Sequence, residues 1–239
     1  MPYAWSDSAP YPRDSIATSR DLHRLLQAAG VAGPYVLVGH SLGGFHVRVF
    51  NGLYPSDVSG VVFVDSSYEY ETNVVSTHTV NNFPDAMNRF GAGIAEIVYR
   101  VGLFRLLAEP ANMRVRPKGF TPQEWITAHA FAERGGPATA KEIYVQCRDE
   151  AMAAGTFGDR PLIVLTAGLP SQVGTSPVEE RRFLREQQIM IRIQAELARL
   201  STRSKQVVVP DARHTIHYDR PDVVIGAVRE VVDEARSLN

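Results

Sequence analysis

The feature that most restricts the fold is a six-residue segment, Gly-His-Ser-Leu-Gly-Gly, at positions 39–44. A short apolar run at 35–38 precedes it, and apolar residues at helical spacing follow it as far as Leu53. A serine flanked by glycines between a strand and a helix is typical of a nucleophile elbow, a sharp turn that lifts the serine out of a sheet. The segment therefore predicts that Ser41 follows a strand of an α/β fold.

Apolar strands and amphipathic helices alternate on either side of the middle of the chain. Three further apolar runs predict strands, at residues 60–64, 161–166 and 206–209. Helical patterns predict helices at residues 15–29, 178–200 and 221–235. Fully apolar strands that alternate with helices indicate a parallel sheet covered on both faces. The predicted fold class is α/β.

The stretch from residue 66 to residue 159 has a different pattern, with short helical pieces interrupted by glycine and proline and no strand signal. It predicts a helical lid inserted into a core made of residues 1–65 and 160–239. Apolar side chains between Ile94 and Leu107 are candidates to line an acyl or alcohol pocket, or to pack the lid on the core.

Composition limits the class of protein. The 239 residues carry a net charge of −1, which gives no reason to expect a nucleic-acid partner. Cys147 is the single cysteine, so an internal disulfide is impossible, and a reducing, cytoplasmic location is expected. No apolar run approaches the ~20 residues that span a bilayer, and the first residues lack the features of a signal peptide.

The elbow implies a specific chemistry. A serine hydroxyl attacks only when a base removes its proton, so a histidine must reach Ser41. Gly39 and Gly43 lie two residues on either side of the serine, where the close approach of strand and helix is expected to admit only glycine. The N–H group of Leu42 is the candidate oxyanion donor. This chemistry requires neither a cofactor nor a metal.

Two segments resemble the α/β-hydrolase superfamily, and the resemblance extends over nearly the whole chain. Residues 39–44 are similar to its elbow, and VVVPDARHTIHYDRPDVV, at 207–224, is similar to its histidine loop. The resemblance implies a serine esterase or lipase-like member in which His214 is the base. His217 is the alternative base.

The acid departs from the commonest pattern of this family, which has an aspartate in the loop after the strand at 161–166. That loop contains no aspartate here. Haloalkane dehalogenases instead carry the acid at the end of the strand after the elbow helix, where this chain has Asp65. The resemblance therefore implies Asp65 as the acid. The alternatives are Glu69, Glu179, Glu180, Asp211 or no acid at all.

Family members usually have four strands before the elbow strand, and a loop among them supplies a second oxyanion N–H group. The first residues of this chain resemble the end of the last turn of that region, so the resemblance implies a chain without those strands. The strand at 35–38 would then have a bare edge available for self-association. Loss of one oxyanion donor costs about 10²–10³ in rate, so impaired activity is expected.

The expected function is hydrolysis of a small hydrophobic ester through an acyl-enzyme. A thioesterase or a carbon–carbon bond hydrolase would use the same residues. Haloalkane dehalogenase and epoxide hydrolase chemistry is not expected, because those enzymes have an aspartate in place of Ser41. The alternative from another class is a non-catalytic protein on the same scaffold, either a ligand-binding receptor or an inactive fragment.

Overall fold

The computed structural model describes residues 13–69, 137–171, 173–174 and 176–238. Most of the predicted lid, including its apolar stretch, lies outside the described residues. The chain divides into two compact units. The described part of the smaller unit is Arg13 and residues 137–145. The described strands, together with Ser41, Asp65 and His214, belong to the larger unit.

The described residues form a four-stranded parallel sheet with the order β1-β2-β3-β4. Its strands are β1 (Tyr35–His40), β2 (Val58–Val64), β3 (Leu162–Ala167) and β4 (Ser204–Val209). The helices are α1 (Ser15–Ala28), α2 (Gly43–Leu53), α3 (Pro137–Ala153), α4 (Pro177–Ala198), α5 (Ile216–Asp219) and α6 (Pro221–Ser237), with a 3-10 turn at Pro55–Asp57. The predicted α/β class and parallel sheet are confirmed. None of the described helices has the length and apolar composition needed to cross a membrane.

Helices cover both faces of the sheet, as the continuous apolar strands predict. On one face, Phe63 of β2 packs in a cluster with Phe50 of α2 and Leu197 of α4. On the other face, Val62 of β2 packs in a second cluster with Val231 of α6. Because successive side chains of a strand point to opposite faces, β2 contributes to both clusters and is almost completely buried.

Strand β1 lies at one edge of the sheet that the described residues form, and β4 lies at the other. Val38 in the middle of β1 keeps 47% of its surface exposed, whereas Leu37 beside it is buried. Self-association through this edge stays a prediction.

The strand register brings the carboxyl ends of the strands together along one edge of the sheet. His40 pairs with Val64, and Val64 pairs with Leu165. The backbone N–H of Ser41 then donates to the carbonyl of Val64 at 3.3 Å, and that of Asp65 donates to the carbonyl of Leu165 at 2.8 Å. The backbone pairing alone therefore brings Ser41, which follows β1, close to Asp65, which follows β2.

The close approach at the elbow involves a different pair of glycines from the predicted one. A Cβ atom at Gly39 would lie 2.8 Å from the carbonyl oxygen of Gly43, as expected. At Gly43 itself, no atom of the described residues lies within 4 Å of such a Cβ. A Cβ atom at Gly44 would lie 2.6 Å from the Cβ of Ser66. The steric requirement assigned to Gly43 is wrong, because position 44 is the one that faces the turn after β2.

The two glycines allow a matched test. We expect Gly44→Ala to lower the free energy of unfolding by about 1–3 kcal/mol, because the methyl group overpacks the turn at Ser66. Gly43→Ala, in the first turn of the same helix, should raise it by about 0.5–1 kcal/mol, because alanine is the better helix residue. Urea unfolding of both variants measures the difference. Equal effects of the two substitutions would contradict this account of the elbow.

Candidate active site

Ser41 lies in the turn between β1 and α2 with a positive φ of 54°, which is uncommon for a residue other than glycine. Its carbonyl oxygen accepts from the N–H of Gly44 at 3.0 Å and from the N–H of Ser67 at 2.9 Å. These bonds hold the serine in the sharp turn expected of an elbow. The hydroxyl is thereby held at the carboxyl edge of the sheet.

Asp65 follows β2 and has the other positive φ among the described residues that are not glycine, 41°. Its Oδ1 atom accepts from the N–H of Ala167 and from Nε2 of Gln194, both at 2.9 Å. Its Oδ2 atom lies 2.7 Å from Nδ1 of His214. Unfavourable backbone conformations persist where surrounding contacts hold them, and they cluster at functional sites. Here they coincide with the predicted nucleophile and acid.

His214 lies in the loop between β4 and α5 and connects the other two residues. Its Nε2 atom lies 3.1 Å from Oγ of Ser41, on the opposite side of the ring from the bond to Asp65. Because a carboxylate can only accept, Nδ1 carries the proton in the neutral ring, and Nε2 is left to accept from the serine hydroxyl. The side chain of His214 is 40% exposed, against 10% for Asp65, so solvent reaches the ring but hardly the acid.

Two more histidines pack beside this arrangement. Nε2 of His40 donates to the backbone carbonyl of His214 at 3.0 Å, which anchors the histidine loop to the elbow. The ring of His40 lies 4.6 Å from that of His214 and 4.7 Å from that of His217, measured between centroids. Of the two candidate bases, His214 is thus the one hydrogen-bonded to Ser41, whereas His217 packs edge-on against His40.

The alternative acids contact other groups. Glu69 forms a largely buried ion pair with Arg48 of α2. Asp211 forms an ion pair with Arg220. The two candidate glutamates near residue 180 lie in the first turn of α4. The carboxylate at hydrogen-bond distance from the imidazole of His214 belongs to Asp65.

Leu42 is the N-cap residue of α2 and directly follows the serine. Backbone N–H groups at the start of a helix lack partners within it and lie at the positive end of the helix dipole. An anion forming at Ser41 would be stabilised there. The oxyanion role of Leu42 stays a prediction. In the part of the chain that the structure describes, no group of three or more His, Cys, Asp or Glu residues could hold a metal ion.

Sequence reasoning missed Gln194, the side-chain donor to Asp65. Together with Gln187, it is one of two glutamines seven residues apart on the buried face of α4. Residues seven apart share one face of a helix, and this face is otherwise apolar along much of its length. Two glutamines interrupting an apolar stripe were the available signal, since a buried polar side chain needs a partner.

The sequence over residues 2–227 matches the family model described as the alpha/beta hydrolase family. The chain belongs to this family. The fold agrees, because the structure of a thermophilic esterase from Thermogutta terrifontis superimposes with a TM-score of 0.51 at 20% identity. That similarity covers 98% of this chain and 77% of the esterase.

Curated relatives of this α/β-hydrolase are distant and longer. A protein of Hormonema carpetanum named "Probable transporter efuK" is 23% identical over 93% of this chain and 33% of its own length. An uncharacterized protein of Schizosaccharomyces pombe is 25% identical over 95% of this chain and 39% of its own length. The chain thus spans between a third and two fifths of the length of these two relatives.

The environment of the two neighbouring histidines favours their neutral forms. Burial lowers the pKa of His40 below its ordinary value of 6.5, and the charges of His214 and His217 lower it further. The bond to the carbonyl of His214 and the charge of Asp65 oppose this shift in the pKa of His40. Burial and the charge of His214 likewise lower the pKa of His217. When His214 becomes positive, both rings therefore remain neutral more readily than they would in water.

These shifts predict a pH dependence of stability. A histidine whose pKa is lower in the folded state binds more protons when unfolded, so the free energy of unfolding rises with pH. The stability contributed by neutral His40 is present above pH 6.5 and is lost as the pH falls through the folded-state pKa. Urea unfolding between pH 5 and pH 8 should therefore show a weaker pH dependence for His40→Gln than for the wild type.

Glutamine is the suitable replacement because its side-chain amide can still donate to the carbonyl of His214. His217→Gln should change the pH dependence in the same direction. If both variants have the same pH dependence as the wild type, the two rings do not titrate as their surroundings imply.

Proposed function

We propose that this α/β-hydrolase is a serine hydrolase that cleaves a small hydrophobic ester through an acyl-enzyme. The observation that carries the proposal is the continuous hydrogen-bonded series from Asp65 through His214 to Ser41, with distances of 2.7 and 3.1 Å. An acid, an imidazole and a hydroxyl in this order form the arrangement that activates a serine in many unrelated hydrolases.

In the first half of the reaction, Oγ of Ser41 attacks the carbonyl carbon of the ester, and its proton passes to Nε2 of His214. Asp65 keeps Nδ1 protonated and stabilises the imidazolium that forms. The N–H of Leu42 stabilises the negative oxygen of the tetrahedral intermediate. When the intermediate collapses, the alcohol leaves with the proton from His214, and the acyl group remains on the serine.

In the second half, water attacks the acyl carbonyl carbon and gives a proton to Nε2 of His214. Collapse of the second tetrahedral intermediate breaks the bond to Oγ, and the serine recovers the proton. The products are a carboxylic acid and the free enzyme. The 40% exposure of the His214 side chain is compatible with the entry of water at this step.

An ester is the preferred substrate class because the related fold described above is that of an esterase. Thioesters and activated carbon–carbon bonds would engage the same three residues, so they are the alternatives within this fold. Esters and thioesters are distinguished by comparing the hydrolysis of p-nitrophenyl esters, with acyl chains of two to twelve carbons, with that of thioesters of the same acyl chains. A higher kcat/KM for the thioesters than for the esters would contradict the ester assignment.

The first test is covalent labelling with a fluorophosphonate, which reacts with activated serines. We expect the wild-type chain to be labelled, and Ser41→Ala to lose the label completely. Ser56→Ala is the control, because Ser56 is an exposed serine in the 3-10 turn and should leave labelling unchanged. A folded wild-type chain that takes no label would favour the non-catalytic alternative.

The second test concerns the acid. We expect Asp65→Asn to lower kcat for an ester by about 10³–10⁴-fold with little change in KM, because an amide facing Nδ1 favours the wrong tautomer of His214. Asp57→Asn is a matched control, since Asp57 also contacts a histidine, His23 at 3.1 Å, but precedes β2 at the opposite end of the strand. Equal activities of the two variants would remove Asp65 from the mechanism.

A further inference from the structure

Helix α4 contains a glutamine, Gln194, that is only 1% exposed. It lies among apolar core residues of the helix, near Leu197, which is also completely buried. An amide removed from water without full hydrogen bonding is destabilising, and leucine or methionine would fill such a position without that loss. The presence of an amide here needs a reason other than packing.

The contacts of Gln194 supply that reason. Its Nε2 atom donates to Oδ1 of Asp65 at 2.9 Å, beside the backbone donor of Ala167 at the same distance. The opposite orientation of the amide would set Oε1 against a carboxylate oxygen, and neither atom could donate. With Oδ1 held by two donors, the carboxylate cannot turn about its Cβ–Cγ bond without losing both. Oδ2 therefore stays directed at His214.

The oxygen atom of the same amide makes no such contact. Oε1 of Gln194 is buried and has no hydrogen-bond partner among the described residues. An unsatisfied buried acceptor destabilises the folded protein. Among the described residues, the amide of Gln194 thus contributes a donor to Asp65 and leaves its acceptor unsatisfied.

We propose that Gln194 is a positioning residue for the triad acid, which it holds through Oδ1 so that Oδ2 remains bonded to Nδ1 of His214. This assignment rests on the serine-hydrolase function proposed above. A neutral donor is suited to this task, because it orders the carboxylate without adding a charge that would alter the basicity of His214. A lysine or arginine in its place would neutralise the acid on which the imidazolium depends.

The test compares Gln194→Met and Gln194→Glu in the full chain, with fluorophosphonate labelling of Ser41 measured against pH and probe concentration. Methionine has nearly the same length, removes the donor and also removes the unsatisfied acceptor. We expect Gln194→Met to remain as stable as the wild type in urea, whereas its maximal labelling rate falls by roughly 10- to 100-fold, the range for loss of one hydrogen bond to a charged group. The half-saturating probe concentration should not change.

Gln194→Glu should keep the donor but make it titratable. His214 must be neutral to accept the serine proton, and Asp65 must stay directed at its Nδ1 atom. Two buried carboxyl groups in contact do not both ionise readily, so the glutamic acid should keep its proton and donate it to Oδ1 of Asp65 in place of the amide. Near neutral pH the labelling rate should therefore stay close to that of the wild type, in contrast to that of Gln194→Met. At alkaline pH, where this proton is lost, the labelling rate of Gln194→Glu should fall and that of the wild type should not. His40 and His217, the other titratable groups packed around His214, are unchanged in both variants.

The matched control is Asn51→Asp. Asn51 is 3% exposed, donates from Nδ2 to the carbonyl of Thr156 at 3.1 Å and has an unsatisfied Oδ1, but lies near the far end of α2 from the elbow. The same change from amide to acid there should lower stability without adding a fall in labelling at alkaline pH. A role of Gln194 in packing alone would give this result for Gln194→Glu as well.

Two outcomes would overturn the assignment in distinguishable ways. If the wild-type chain is labelled at Ser41 and both Gln194 variants keep its rate and its pH profile, the positioning role is wrong and the serine-hydrolase function stands. If the folded wild-type chain takes no label, or keeps its label in Ser41→Ala, the proposed function itself fails, and the role of Gln194 fails with it.

Discussion

The parallel pairing of β1 with β2 and of β2 with β3 is the constraint on which the site depends. It bonds the backbone of Ser41 to the end of β2 and the backbone of Asp65 to the end of β3. One residue of a strand spans about 3.3 Å, so a slip of a single position would carry the acid beyond hydrogen-bond distance of the imidazole. The apolar side chains of both clusters oppose such a slip, because it would turn the buried side chains of a strand toward the opposite face.

Contacts from other elements hold each of the three site residues, Ser41, Asp65 and His214, in place. The two positive φ angles are stabilised by backbone bonds to neighbouring strands and turns. The loop that carries His214 is anchored to the elbow by His40. Asp65 is almost completely buried and accepts from the backbone of β3, from α4 and from the imidazole. Several hydrogen bonds offset the loss of hydration that burial of a carboxylate entails.

The charge in the site is kept small. Asp65 is hydrogen-bonded to His214, and the two neighbouring rings, His40 and His217, are held toward their neutral forms by burial and by the charge of His214. Two of the other candidate acids are held in ion pairs, Glu69 with Arg48 and Asp211 with Arg220. Asp65 is thus the carboxylate hydrogen-bonded to His214 among the described residues, and the amide of Gln194 contacts it without adding a charge.

Much of the fold could be predicted from local patterns. All four strands and the helices between them follow from apolar periodicity, and each strand lies within two residues of its predicted bounds. Such patterns depend on residues close together in the chain, where steric and hydrophobic rules apply directly. The elbow was predictable for the same reason, although the identity of its second close-packed glycine depended on the turn after β2 at Ser66.

By itself, the sequence determined an α/β chain of strands and helices, a serine in a strand-to-helix turn and a short set of possible partners. Only the tertiary structure decided which acid faces His214, which of two histidines reaches Ser41 and that Gln194 contacts the acid. These contacts join residues 129 to 173 positions apart. Their distances are set by strand register and helix packing, which no local pattern in the chain encodes.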